Sequence, residues 1–248
     1  MQLPQRQRLV WLAPGAWAEL LAQRPSSAAV GRVLDAMAFA CLEHWARHDL
    51  PLVVTRQPAA ERAHVVLADA LADACAGPAL ALGLPAPACW ERRRLALRVP
   101  ADGVVRFGDF PPAEAIAPLL PAPTRAAWLE LSAGLDALGV VARVYGSHGW
   151  QQLTGLSYLH AGSDLDLLLA LCSPGQADAA AALLAATVAD AATRAALPRL
   201  DGELVFANGT AVAWREWAGW RAGRTARLLV RRRHGAALES GAIWADPS

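Results

Sequence analysis

A chain of 248 residues can hold one large domain or two small ones, and with 55% hydrophobic residues it can bury a sizeable core, which excludes global disorder. A formal net charge of +1 gives no bulk argument for a nucleic acid polymer or a membrane surface as partner. All 23 basic residues are arginine, so a Schiff-base lysine, a lysine nucleophile and a P-loop lysine are excluded, while arginine forks remain suited to bidentate phosphate recognition.

In chain order, Arg6 and Arg8 precede Trp11 and a Pro14-Gly15 break, so no signal-peptide core is expected and the protein is read as cytoplasmic. Arg8 to Leu12 reads as a short strand. Ala28 to His48 reads as a helix, with Val30, Val33, Leu34, Met37, Phe39, Cys41, Leu42 and Trp45 recurring at helical spacing. His44 and His48 stand at i, i+4, but no Glu follows His44, so a zinc site is not expected. Pro51 to Thr55 is a β-type run. Leu67 to Leu84 is apolar, yet Asp69, Asp73, Gly77 and Pro78 argue against a membrane span. Leu95–Val99 and Val104–Phe107 flank Asp102-Gly103, a hairpin signal. The Pro-rich stretch from Pro111 to Pro123 marks the expected domain boundary, giving an N-terminal α+β domain over 1–120 and a second domain over 121–248. Cys41, Cys75, Cys89 and Cys172 are widely spaced and read as buried free thiols.

The second half is more regular. Thr124 to Leu138 is expected to be a helix, with Thr124 as N-cap and Gly139 as its stop. Val140 to Tyr145 is a strand, and Gly146-Ser147 turns into a short helix around Trp150 to Leu153. Asp164 to Leu171 is a strand apolar on both faces past its aspartates, hence central. Pro174 to Leu197 is an Ala-rich helix. Leu200–Phe206 and Thr210–Trp214 flank Asn208-Gly209 as a second hairpin, and Thr225 to Arg231 is a last strand. Trp214, Trp217 and Trp220 recur every three residues, on one packed face. This alternation predicts an α/β (α+β) layer around a mixed sheet.

The chemistry concentrates in Val144-Tyr145-Gly146-Ser147 and Ser163-Asp164-Leu165-Asp166-Leu167. On a strand, residues i and i+2 share a face, so Asp164 and Asp166 project together. Two carboxylates on one face repel unless something neutralises them, and Mg²⁺ takes one or two carboxylates plus phosphate oxygens. Asp164 and Asp166 are therefore the candidate metal ligands and catalytic residues. The Gly146-Ser147 turn offers backbone amides to a phosphate, and the Ser147 hydroxyl can hold one while also serving as a helix N-cap.

Gly146-Ser147 followed by Asp164-Leu165-Asp166-Leu167 resembles the signature of the nucleotidyltransferase superfamily, with an unusually long gap of sixteen residues between Ser147 and Asp164. The run from Gly146-Ser147-His148-Gly149-Trp150-Gln151-Gln152 to Tyr158-Leu159 is more specific. It resembles the phosphoribosyl-dephospho-CoA transferases of malonate decarboxylase, its holo-acyl-carrier-protein synthases. Gly83-Leu84-Pro85 with Arg92 to Val99, and Asp201-Gly202-Glu203 with Ala213 to Trp217, fit the same family. The resemblance implies a nucleotidyltransferase-like catalytic domain and a serine of the carrier subunit as acceptor. It further implies triphosphoribosyl-dephospho-CoA as donor, pyrophosphate as leaving group and dependence on Mg²⁺.

A third carboxylate is expected on a neighbouring strand. Asp201 and Glu203 alternate onto one face of the strand before Asn208-Gly209; Glu203 is taken as the third catalytic residue, Asp201 is its alternative and Glu216 a weaker one. Arginines cluster at Arg92-Arg93-Arg94 and from Arg221 to Arg233, as a solvated face or as a cradle for donor phosphates or an acidic carrier. Gly146, Ser147 and Arg231 are the candidate substrate contacts, and His148 reads as an ordinary hydrogen-bonding turn residue. The competing readings are an ordinary nucleotidyltransferase using a nucleoside triphosphate, and a silent nucleotidyltransferase-like binding domain.

Overall fold

The computed structural model describes residues 7–22, 35–57 and 79–245. The chain divides into two compact units between Asp109 and Phe110. Cys75, residues 28–34 of the expected helix and most of the apolar stretch from Leu67 lie outside the described residues. No described helix is long and apolar enough to cross a membrane.

The first unit contains β1 (Leu9–Leu12), α1 (Pro14–Ala22), α2 (Ala36–Arg47), β2 (Leu52–Val54), β3 (Ala79–Pro85), β4 (Arg94–Pro100) and β5 (Val104–Gly108). Its five-stranded sheet has the order β4-β3-β2-β1-β5 and is antiparallel throughout. α2 starts where the Asp35 carboxylate accepts from the Ala38 N–H, and buries Ala38, Cys41, Leu42 and Trp45 as one stripe. Asp102-Gly103 does not close a hairpin. It lies in a 3₁₀ turn whose Gly103 carbonyl accepts from the Ala13 N–H. β4 pairs along its full length with β3, while β5 pairs with β1, so the two strands occupy opposite sheet edges. Cys41 is a buried free thiol, but Cys89 and Cys172 are exposed rather than buried, Cys89 in a 3₁₀ turn and Cys172 just past a strand end.

The second unit contains α3 (Ala122–Ala137), β6 (Val141–Tyr145), α4 (Gly146–Thr154), β7 (Leu165–Leu171), α5 (Pro174–Ala189), α6 (Ala191–Ala196), β8 (Leu200–Phe206), β9 (Ala211–Ala213), α7 (Trp214–Arg221), β10 (Leu228–Arg232) and β11 (Gly235–Glu239). Its six-stranded sheet, β11-β10-β9-β8-β7-β6, is mixed: β7 and β8 are parallel and the other pairs antiparallel. The Pro-rich stretch is folded into this unit and is no linker. Ala113, Ile116, Ala117 and Leu120 are buried in its core, the Trp128 indole donates to the Ala113 carbonyl at 2.8 Å, and the Val144 N–H donates to the Pro111 carbonyl. α3 begins after Pro121, so Thr124 is a buried residue of its first turn and not the cap. The Ala-rich helix breaks at Asp190, whose carboxylate accepts from the Thr193 N–H and starts α6.

One sheet face is covered. Leu165, Leu167, Leu169 and Leu171 of β7 are all buried, with Val144, Leu204, Val212 and Val230 beside them and Trp128, Leu131, Ala177, Ala181 and Leu184 from the helices in the same core. β7 is not apolar-buried on both faces: Asp166 and Leu168 are half-buried and Ala170 is exposed. This alternation fixes the register. A one-residue slip would send four core leucines to the other face, at about 1.5–3 kcal/mol each. Core packing on one face thereby sets where Asp166 stands on the other.

Candidate active site

Tyr145, Asp166 and Asp201 form one row across β6, β7 and β8, because Tyr145 pairs with Asp166 and Asp166 with Asp201 in the strand registers. Glu203 stands one pleat further along β8, level with Leu168 and Ala213. Its carboxylate pairs with Arg231, Glu203 Oε1 lying 3.6 Å from Arg231 Nε. Of the two acids considered on β8, Asp201 is thus the neighbour of Asp166, and Glu203 the partner of an arginine from β10.

Asp164 lies just ahead of β7. Arg199, just ahead of β8, reaches both aspartates: Nη1 lies 3.9 Å from Asp164 Oδ2 and Nη2 3.9 Å from Asp201 Oδ2. Burial, then the charges of Asp201 and Asp164, push the Asp166 carboxyl up to about 6, with Arg199 opposing them. Burial first, then Glu203, Asp166 and Asp201, hold the Tyr145 phenol well above its ordinary range, so it stays protonated. Among the described residues, no group of three or more His, Cys, Asp and Glu side chains could hold a metal ion by itself. The donor set at the head of β7 is all-oxygen and crowded with negative charge. That fits a hard cation that completes its shell with substrate phosphates and water, as Mg²⁺ does.

The turn after β6 is built around this carboxylate. Gly146 has φ +60°, and a Cβ there would lie 1.9 Å from Asp166 Oδ2. Glycine is needed both for the left-handed backbone and for room. α4 begins at once, with Tyr145 in the cap position and no side chain capping its first amides. Ser147 is half-buried in that first turn; the hydroxyl is not the N-cap. Further along, Gly149 lets the helix lie against β6, since a Cβ there would meet the Val144 carbonyl oxygen at 2.2 Å. His148 is buried, and its Nδ1 donates to the Asp164 carbonyl at 3.0 Å. Burial pushes this imidazole below its ordinary value, which favours the neutral ring, and its hydrogen bond holds the Asp164 backbone in place. Gln151 ties down the connection to β7, its Oε1 accepting from the Tyr158 and Leu159 N–H groups.

Arg231 presents a buried Nη1 without a hydrogen-bond partner, beside Glu203, and Glu216 has a buried Oε2 in the same condition. The sequence motifs contain Tyr145 and Arg215 without giving either a role, and they leave out Arg199. Arg215 donates to the Leu200 carbonyl at 2.9 Å, and its guanidinium lies 4.1 Å from the ring centroid of Trp214. For Arg199 the available signal was its spacing, two residues before Asp201. For Tyr145 it was alternation onto the face shared with Asp166. Of the arginine clusters, Arg93 pairs with Asp35 and Glu91, Arg221 with Asp178 and Arg232 with Glu239, so these are structural ion pairs. A cavity of about 690 Å³ in the first unit, lined by Trp11, Trp17, Arg47 and Arg106 among others, includes none of the site residues expected from the sequence.

Two family models match the chain. One is the phosphoribosyl-dephospho-CoA transferase MdcG C-terminal domain, over residues 111–242, and the other the N-terminal domain of the same family, over residues 62–110. A phosphoribosyl-dephospho-CoA transferase of Xanthomonas campestris pv. campestris (strain 8004) is 34% identical over 94% of this chain and 92% of the relative. One from Bradyrhizobium diazoefficiens is 35% identical over 87% of this chain and 83% of the relative. One from Pseudomonas putida (strain GB-1) is 38% identical over 50% and 55%. No solved structure matches.

Proposed function

The chain belongs to the phosphoribosyl-dephospho-CoA transferase family, and from that premise we propose how its second unit works. It moves the 2′-(5″-phosphoribosyl)-3′-dephospho-CoA group from the triphosphoribosyl donor to a serine of the malonate decarboxylase acyl carrier protein, in the cytoplasm, on a nucleotidyltransferase-like site. The observation that carries this reading is the row of Asp166 and Asp201 on parallel strands, with Asp164 and the Gly146-Ser147 turn beside it.

In this reading the acceptor serine oxygen attacks the phosphorus nearest the ribose. Its bond to the pyrophosphate oxygen breaks, and pyrophosphate leaves with that electron pair. Asp201 is the third carboxylate and takes the serine proton; Glu203 holds Arg231 in place instead. The open amides of α4 and the Ser147 hydroxyl receive the phosphate under attack, and the partly exposed Arg231 side chain, held by Glu203, lends positive charge to the leaving group. Asp164 and Asp166 would hold Mg²⁺, which neutralises phosphate charge when bound.

The test is to incubate the enzyme with Mg²⁺ and the folded apo carrier, with the donor in one reaction and nucleoside triphosphates in another, and to weigh the intact carrier and its serine peptide by mass spectrometry. A phosphoribosyl-dephospho-CoA adduct on serine is expected. A nucleotide adduct formed from a nucleoside triphosphate would make the chain an ordinary nucleotidyltransferase, and an unmodified carrier would end the reading.

A further inference from the structure

Arg199 is fixed at its backbone and free at its tip. Its carbonyl accepts from the Leu165 N–H at 2.9 Å, which ties the start of β8 to the start of β7. Its side chain is 63% exposed, and its terminal nitrogens lie 3.9 Å from Asp164 and 3.9 Å from Asp201. Both distances exceed hydrogen-bond length, so the guanidinium balances the charge of both aspartates while its donors stay unspent. Arg221 differs: it meets Asp178 through two hydrogen bonds of 2.8 and 2.6 Å and is committed to it. Exposed ion pairs of this looser kind stabilise little, so Arg199 can leave its aspartates at little cost. The second cation at this spot, Arg215, is tethered to the Leu200 carbonyl. Two arginines thus stand at one end of the sheet beside Asp164 and Asp201, Arg215 tethered and Arg199 only loosely paired, which is the charge pattern a metal-bearing polyphosphate would meet.

We propose that Arg199 is an exchangeable counter-ion and a donor-binding residue. In the free enzyme it neutralises Asp164 and Asp201; on loading it yields them to the divalent cation and closes on the donor's polyphosphate. This rests on the transferase reading above but is tested apart from it, by binding rather than turnover.

The experiment titrates the wild-type full chain, Arg199→Gln and Arg199→Lys by calorimetry, with Mn²⁺ alone and with inorganic triphosphate alone. Arg199→Gln should bind triphosphate about tenfold more weakly, the loss of one charge-assisted contact. The same variant should bind Mn²⁺ more tightly than wild type, because the competing cation is gone. Arg199→Lys keeps a point charge without the fork and should fall between the two in both titrations. A residue that only supported the fold would weaken both ligands together. Unchanged triphosphate affinity, or Mn²⁺ binding that is unchanged or weaker in Arg199→Gln, overturns the proposal. Because lysine at 199 keeps charge and bulk, that variant decides between the outcomes if Gln unfolds the chain: triphosphate and Mn²⁺ affinities both equal to wild type would overturn the exchange. Failure of carrier modification by the wild type would instead strike the transferase reading and leave these titrations standing.

Discussion

Gly146 and Asp166 are placed by the same contact, since the absent Cβ of one makes the space that the carboxylate of the other occupies. Asp164→Asn and Asp166→Asn should each lower turnover by about a thousandfold or more, the scale of several kcal/mol of transition-state charge stabilisation. Both side chains are only half-buried, so thermal unfolding should stay cooperative; folded variants with near-normal turnover would remove these residues from the site. Asp166 also predicts a pH dependence of stability. Its folded value is raised to about 6 against an ordinary 3.8, so its favourable contribution is complete below about pH 4 and is lost as pH rises through 6. In chelator, wild type should therefore lose stability relative to Asp166→Asn between pH 4 and 7. The difference is at most about 3 kcal/mol, and less after solvent screening. Added Mg²⁺ should restore more stability at pH 8 than at pH 5. A melting-temperature difference between the two proteins that is flat across this range would contradict the crowding of three carboxylates.

The strand–turn–helix element from β6 to α4 works only if the helix lies close to the strand, and Gly149 makes that possible. Ala normally favours a helix interior over Gly by about 1 kcal/mol. Here the added Cβ would meet the Val144 carbonyl oxygen at 2.2 Å, a backbone atom that cannot move aside. Overpacking of this kind costs about 1–3 kcal/mol, so the clash outweighs the propensity. Gly149→Ala should lower the melting temperature by several degrees and reduce activity, because α4 carries Ser147 and His148. Gly175→Ala, at the start of α5, where the nearest atom is Ser173 Oγ at 3.8 Å, should be neutral or stabilising. If both variants melt alike, the close approach of α4 to β6 does not constrain position 149. The β6–α4–β7 element was legible because local signals agree: a glycine turn, an apolar run and two aspartates in alternation. The pairing of β4 with β3 was not legible, because Asp102-Gly103 carries the same local chemistry in a 3₁₀ turn as in a hairpin, and only the partner strands decide between them. Likewise, the spacing of Asp201 and Glu203 placed both on one face, but only the β7–β8 register says which one stands beside Asp166.

For the molecule as a transferase, a folded carrier must reach the site, and strand directions narrow where it can dock. β10 is antiparallel to β9, and β9 to β8, so β10 enters the sheet at the end where β8 and β7 begin. The connection over 222–227 therefore opens at the end of the sheet that carries Asp166 and Asp201. Of the arginines from 221 to 233, Arg221, Arg231 and Arg232 are held in ion pairs with Asp178, Glu203 and Glu239. Arg224 and Arg227 lie in the connection and are exposed. An acidic carrier surface would meet these two first, and rim charges act mainly on encounter rate, which salt screens. Arg224→Gln with Arg227→Gln should raise the KM for carrier several-fold at low salt, flatten its salt dependence, and leave the donor KM and the turnover at saturating carrier nearly unchanged. Arg221→Gln should behave differently, lowering stability through the loss of its bidentate pair with Asp178, the residue that also accepts from the Trp217 indole. Titrating carrier and donor separately tells the cases apart. If the double variant keeps the wild-type response to salt, or if a short peptide carrying the acceptor serine is modified as well as the folded carrier, the docking surface is not at this end of the sheet.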